Sequence, residues 1–468
     1  MSSVAELIGL ERSEQHYQIS AAQKILAYFL SLLKPFTTAV TDSLGELQNE
    51  VLLPSKPLFD FLRRHAARQA HEFQKSYVST IRWYYETGFR RYIRALEKMR
   101  IRGMEKNEPI GEVTLGSKNS LALLARKNSI VPGASSRTAR VVPPTSLGFA
   151  GIPGPGIALA HMANDPTYRP SPEALFRSVA IVLMDSAETE YSFLSNFFGQ
   201  HSTLSVTTPR PEAPAFFSPT PSEHPRDDAD GGESVVESEL GKTSMTGSLL
   251  SKEERGDILR KTVVEGLWKS VLEPAQEYSR NFISALLEPT SPPTPVSMLC
   301  MVRLHEAVVA SLVDGGRCPP MESFLIGVRM ALWPTFSKVM NVQIDSVRKI
   351  NGAGTSVVGA FTKAIGATTV KDSAVQIIAL RYTDLFNTFI ALSGEQDEEM
   401  VFGSLLRLRN EVDRLLVTQA AKIPDRQKQQ AFLSTHYEEL LQGLSAGIST
   451  HPRCQMELSH FREIARKV

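Results

Sequence analysis

Three cysteines, Cys300, Cys318 and Cys454, are all that 468 residues contain; no two are close together and the number is odd. This usage excludes a disulfide framework and the common cysteine-based zinc sites, and it points to a reducing, cytosolic compartment. Neither sign of charge is in excess, with 51 Lys plus Arg against 50 Asp plus Glu. No overall field exists to draw in nucleic acid, so any basic contact must be local. Long hydrophobic runs are scarce near the start. AYFLSLL at residues 27–33 falls far short of the roughly 20 apolar residues of a membrane-spanning helix, so membrane association is expected to be peripheral. Glu6, Glu11, Arg12 and Glu14 interrupt the stretch in which a signal peptide requires apolar continuity.

What is present is an ordinary globular composition, 42% hydrophobic and 22% charged, on a chain long enough for two or more packed units. From Leu58 to Ile101 no proline intervenes, and Phe73, Tyr77, Ile81, Tyr84, Gly88, Tyr92, Leu96 and Met99 recur every three or four residues. The period predicts one long amphipathic helix, on the order of 65 Å, with the aromatics as its buried stripe. Residues 1–102 are therefore expected to form an amino-terminal helical bundle. Residues 103–170, with GASS, VVPPTS and GFAGIPGPG, lack a sustained period and read as a flexible insertion. Helical periodicity resumes over 171–200, with Ser171 as cap, Pro172 in the first turn, and Leu175, Val179, Val182, Leu183 and Leu194 on one face. This helix belongs with the first bundle. Residues 201–253, rich in proline, serine and acidic side chains, predict a disordered linker. Residues 254–468 read as five or six further helices in a carboxy-terminal bundle or bundles, broken near Pro274, at 291–295, at 315–320, over 352–371, at Gly394 and at Pro424. The last clear helix carries Leu433, Tyr437, Leu440, Leu441 and Leu444 on one stripe, with Gly443 and Gly447 as stop signals. Strand-like alternation is scarce, so the fold class is all-α.

Catalytic patterns fail one by one. Gly443, Ser445 and Gly447 match the G-x-S-x-G nucleophile elbow, but a helix rather than a strand precedes them. Gly354 and Gly359 have phosphate-loop spacing, yet Ala360 and Phe361 stand where Lys and Ser or Thr must act. GIPGPG at 151–156 loses to proline the amide donors that would cradle an anion. No H-E-x-x-H occurs, and His65 and His71, six apart on a helix, cannot share a metal. Catalytic, cofactor-binding and metal residues are accordingly none, and the chain is expected not to be an enzyme. The most basic local feature is Arg90, Arg91, Arg94, Lys98, Arg100 and Arg102, near Arg63, Arg64 and Arg68; its ordinary reading is a solvated helix face, its functional one an anionic membrane or acidic partner.

Several blocks, in order, resemble one family. KSYVSTIRWYYETGFRRYIRALEKM (75–99) looks like that family's long helix. Glu173, Ala174, Leu175, Phe176, Arg177 and Ser178 are similar to its E-A-L-F-R-S block. Leu332, Trp333, Pro334 and Phe336, then Met340, Asn341, Val342, Gln343, Ser346, Val347 and Arg348, resemble its L-W-P-x-F and M-N-V-Q-x-x-S-V-R patterns. ALRYTDLFNTFIALS (379–393) and RQKQQAFLSTHYEELLQGL (426–444) look like its last two helices. The family is that of vacuolar protein sorting-associated protein 52, carboxy-terminal part. The resemblance implies elongated multi-helix bundles in a rod of the CATCHR type shared by exocyst and COG. It implies a non-catalytic subunit of the GARP, or also EARP, tethering complex in retrograde transport from endosomes to the trans-Golgi network. Expected partners are vacuolar sorting subunits fifty-one, fifty-three and fifty-four, syndetin, SNAREs and small GTPases, on the cytosolic face of those membranes and without nucleic acid. The family's amino-terminal coiled coil is expected to lie outside this chain. The alternatives are another rod-type tether subunit, from exocyst or COG, and a serine hydrolase using Ser445.

Overall fold

A computed structural model describes residues 2–38, 43–103, 108–112, 156–199, 252–351, 372–393, 399–447 and 450–467. Among them there are twelve α-helices and no strand, as the periodicity predicts. Eleven of the helices run ten residues or more: α1 (Ser2–Leu33), α2 (Lys56–His65), α3 (Ala67–Gly103), α4 (Pro172–Phe197), α5 (Lys252–Leu286), α6 (Pro295–Val309), α7 (Glu322–Ile350), α8 (Asp372–Ser393), α9 (Glu399–Ala420), α10 (Arg426–Ser445) and α11 (Pro452–Lys467). The expected insertion and linker, apart from their edges, and the phosphate-loop look-alike at 354–361 lie outside the described residues.

The long helix expected from Leu58 is divided. Ala66, at φ −149° and ψ 58°, leaves helical space and separates α2 from α3. The buried stripe of α3 is Phe73, Tyr77, Ile81, Tyr85, Phe89, Leu96 and Met99; Tyr84 and Tyr92 are only half-buried beside it. Its first turns enter an aromatic cluster. Phe73 stacks on Phe29 at 4.6 Å, Tyr77 on Phe193 at 5.3 Å, and Phe59 meets Phe197 at 5.0 Å and Phe198 at 5.2 Å. Rings of this size bury large apolar areas where α1, α2, α3 and α4 meet.

Ser171 takes the extended backbone of a cap, but its side chain makes no capping bond; Pro172 at the first position suffices to start α4. Helix α5 then packs on both α3 and α4. Arg82 reaches Glu273 and Arg100 reaches the Ala285 carbonyl, so α5 runs parallel to α3 in direct contact with it, while α4 runs antiparallel to both and packs against each. Pro274 lies inside α5 and does not break it, contrary to the proline rule.

Helix α6, with the turn that follows it, is long and apolar enough over Pro295–Asp314 to cross a membrane. Here Met298, Leu299, Met301, Val302 and Val308 are buried in the bundle, against α4 and α7. Helices α7 to α11 complete the carboxy-terminal body, α7 on α9, α8 on α10 and α10 on α11. Among the described residues seven helices occupy the stretch where five or six are expected. Gly443 is not a stop signal: it sits within α10, where Thr383 of α8 presses so close that no side chain fits.

Candidate functional site

Ser445 closes α10 as an ordinary helical residue, its hydroxyl donating to the Leu441 carbonyl at 2.6 Å. Helix, not strand, leads to it, and this removes the serine-hydrolase alternative. His65 ends α2 and exposed His71 lies on α3, so the pair does not share one helix as the spacing implied. No group of three His, Cys, Asp or Glu side chains suited to a metal occurs among the described residues.

What the polar residues of the resemblance blocks do is grip connecting backbone. Two connecting segments run across the bundle, 108–112 after α3 and 156–171, which includes a short 3-10 helix at Ala160–Asn164, before α4. Ser178 accepts from the Ala158 amide at 2.8 Å and donates to the Ala174 carbonyl at 2.6 Å, while Tyr92 donates to the Ala158 carbonyl at 2.9 Å. Arg102 donates to the carbonyls of Ala163 at 2.8 Å and Asp165 at 3.1 Å. Both polar groups of Ala158 are thereby satisfied in a buried place, which chain continuity alone would not achieve.

The second segment, Glu108-Pro-Ile-Gly-Glu112, is a strap laid over the carboxy-terminal body. Gln343 and Ser346 face it from consecutive turns of α7. The Ile110 amide donates to Gln343 Oε1 at 2.9 Å and the Gly111 amide to Ser346 Oγ at 3.0 Å. Arg381 of α8 donates to the carbonyls of Pro109 at 3.0 Å and Glu112 at 3.1 Å, and pairs with Glu108 at 3.0 Å. The Ile110 side chain is buried, and a Cβ at Gly111 would run into the Ser346 carbonyl. The arrangement recognises an extended peptide by main chain, one ion pair, one apolar anchor and one obligatory glycine. Gln343 and Ser346 stand in the sequence patterns described above, whereas the strap and the role of Arg381 have no local pattern beyond the glycine at 111.

A further polar cluster closes the amino-terminal core. Glu190 of α4 is fully buried and accepts from Gln48 Nε2 at 2.8 Å, Tyr77 Oη at 2.9 Å and Tyr85 Oη at 3.2 Å. Gln48 reaches it because residues Leu47–Leu52 form a π-helical turn. Burial pushes the Glu190 carboxyl up to about 7 against the opposing pull of its three donors. Burial, then the nearby carboxylate, raises both tyrosines. With no opening to solvent at this carboxyl, the cluster organises the core rather than acting on a substrate.

Comparison with known proteins follows the same residues. The family described as "Vps52, C-terminal" matches residues 79–206 and 258–467. Vacuolar protein sorting-associated protein 52 B of Arabidopsis thaliana is 24% identical over 464 residues, covering 98% of this chain and 52% of the relative. Vacuolar protein sorting-associated protein 52 of Saccharomyces cerevisiae is 20% identical over 426 residues, 85% of this chain and 56% of the relative. The Homo sapiens homolog is 22% identical over 438 residues, 91% and 47%. The chain spans about half the length of the curated relatives it matches. No solved structure matches it.

Proposed function

Since the chain belongs to the Vps52 family, matched through its carboxy-terminal part, we propose that it serves as a non-catalytic subunit of the GARP vesicle-tethering complex, and of EARP, in retrograde traffic from endosomes to the trans-Golgi network. The observation that carries this reading is the use of the block residues. Tyr92, Ser178, Gln343, Ser346 and Arg381 all hold connecting backbone, so the structure they specify is a scaffold. A tether needs reach and several weak contacts rather than a reaction centre, and long helices locked side by side supply the reach. Its partners in this reading are vacuolar sorting subunits fifty-one, fifty-three and fifty-four and syndetin, with SNAREs and small GTPases as further ligands, at the cytosolic face of these membranes. The division into residues 1–102 with 171–200, and 254–468, belongs to the same proposal; Phe193, Phe197 and Glu190 seated on α3 support its first half.

Affinity purification of the tagged chain tests it. Recovery of the GARP subunits is expected. Recovery of exocyst or COG subunits in their place would move the chain to another rod-type tether, and a chain that brings down none of them would contradict subunit membership for this region.

A further inference from the structure

The basic run near the end of α3 separates, in three dimensions, into two sets with different tasks. Arg100 lies against Glu97 at 2.5 Å and donates to the Ala285 carbonyl, Arg102 holds the 156–171 segment, and Arg82 is bound to α5. These are structural cations. Arg90, Arg91, Arg94 and Lys98 have no ion-pair partner among the described residues. At 100° per residue these four and Ile101 fall within an arc of about 100° and extend over roughly 17 Å of helix. Arg91, Arg94 and Lys98 are exposed, Arg90 is half-exposed, and Ile101 is 60% exposed at the end of the row. The acids of this stretch form no ion pair with the row: Glu97 is engaged by Arg100, and no salt bridge joins Glu86 to Arg90.

Among the described residues these four cations, concentrated on one face, have no ion-pair partner, a local excess that the overall charge of +1 does not reveal. Like charges at i, i+4, as in Arg90 with Arg94 and Arg94 with Lys98, weaken a helix slightly, so the row is not there for helix stability. We propose that this face of α3 is a docking surface for an anionic lipid leaflet. The cations belong to a single helix and follow one another along its length with an apolar residue at the end of the row, an arrangement that fits an extended planar array of phosphates. Three of the four cations are arginine, whose planar fork pairs with phosphate oxygens two at a time. Ile101, apolar and exposed in line with them, is placed to enter the headgroup layer while the cations remain at its surface. The face deepens the peripheral membrane placement proposed above by naming what touches the leaflet. Flotation reads it without reference to which subunits co-purify, so the two can fail separately.

The test is flotation of the full chain with phosphatidylcholine vesicles, with and without phosphatidylserine, at low and high salt. The chain should float with the anionic vesicles alone and be released as salt rises, since exposed charge pairs are screened. Replacing Arg90, Arg91, Arg94 and Lys98 together by glutamine should lower partitioning on the order of a hundredfold, each surface cation contributing about a fivefold factor or less. A control variant with Arg426, Lys428, Arg466 and Lys467 replaced by glutamine removes the same charge elsewhere and should float as the parent does. Circular dichroism of both variants establishes that the helices are intact. Equal binding to neutral vesicles, no flotation of the parent chain, or equal losses in the two variants would each overturn the proposal. So would capture of the chain by a polyglutamate peptide, dependent on the same four residues, in the absence of vesicle binding; that result would assign the face to an acidic protein.

Discussion

Arg82 of α3 donates from Nη1 to the carbonyl of Ser270 on α5 at 2.7 Å. Ser270 lies four residues before Pro274, so its carbonyl is the one that the missing proline amide leaves without a helical partner. The same guanidinium nitrogen pairs with Glu273 at 2.8 Å. A cation on a neighbouring helix therefore takes the place of a backbone donor, and α5 passes through its proline intact.

This coupling is measurable in a double-mutant cycle. Arg82→Ala should destabilise the chain by about 1–2 kcal/mol in the presence of Pro274, because a carbonyl loses its donor. In a Pro274→Ala background the helix supplies its own donor, and the same change should cost about half as much or less. Chemical denaturation of the four chains gives the coupling energy. Equal effects of Arg82→Ala in both backgrounds would remove the link between them.

The strap offers a second experiment. Arg381→Ala leaves the Pro109 and Glu112 carbonyls and the Glu108 carboxylate without their guanidinium. Amide exchange at Ile110 and Gly111 should accelerate by about tenfold or more, while exchange within α8 changes little. Arg381→Lys should rescue only part, since an ammonium cannot span three acceptors with a planar fork. Unchanged protection of Ile110 and Gly111 in the alanine variant would show that Gln343 and Ser346 hold the strap alone.

Gly111→Ala probes the same contact from the other side. A methyl there meets the main chain of α7 at Ser346, which is not a flexible side chain that can turn away. The expected result is a loss of about 1–3 kcal/mol in unfolding free energy, or detachment of the strap with faster exchange at Ile110. A variant as stable and as protected as the parent would show that the strap does not lie this close.

Glu190 makes a prediction with a sign. Its carboxyl titrates near 7 in the folded chain against an ordinary value of 4.5, so the folded state holds this proton more tightly than the unfolded state does. Its stabilising contribution is complete below about pH 4.5 and is lost as pH rises through 7. Compared with Glu190→Gln, the parent chain should lose up to about 3 kcal/mol of unfolding free energy between pH 5 and pH 8. Denaturant melts of both chains across that range measure the difference. Parallel curves would mean that the carboxyl is not the titrating group.

Much of this architecture is legible in the sequence where helices bury one continuous stripe, as α3 does through Phe73, Tyr77 and Ile81 and α10 through Tyr437, Leu440 and Leu444. It is illegible where a long-range contact overrides a local rule. Pro274 reads as a helix end because Arg82, which satisfies the orphaned carbonyl, is 188 positions away. Helix α11 escapes notice because Glu457 interrupts its stripe of Cys454, Leu458 and Phe461; in the fold that acid is buried against Tyr382 and Arg409. Glu190 looks like a surface acid, although it stands on the stripe of Leu183, Ala187, Leu194 and Phe197 that α4 buries. The strap's partners Gln343 and Ser346 lie 233 and 235 positions from the amides they accept. No local pattern encodes such a pairing.

The parallel course of α3 and α5 has a mechanical consequence. Tension drawn along the axis of α3 must slide it past α5, which loads Arg82 with Glu273, Arg100 with Ala285 and the apolar rows between them at the same time. Bonds loaded together share a force that would break them one after another if the helices were peeled apart from an end. Along its own length this pair is therefore built to resist pulling in shear and to yield most readily to a force applied across it.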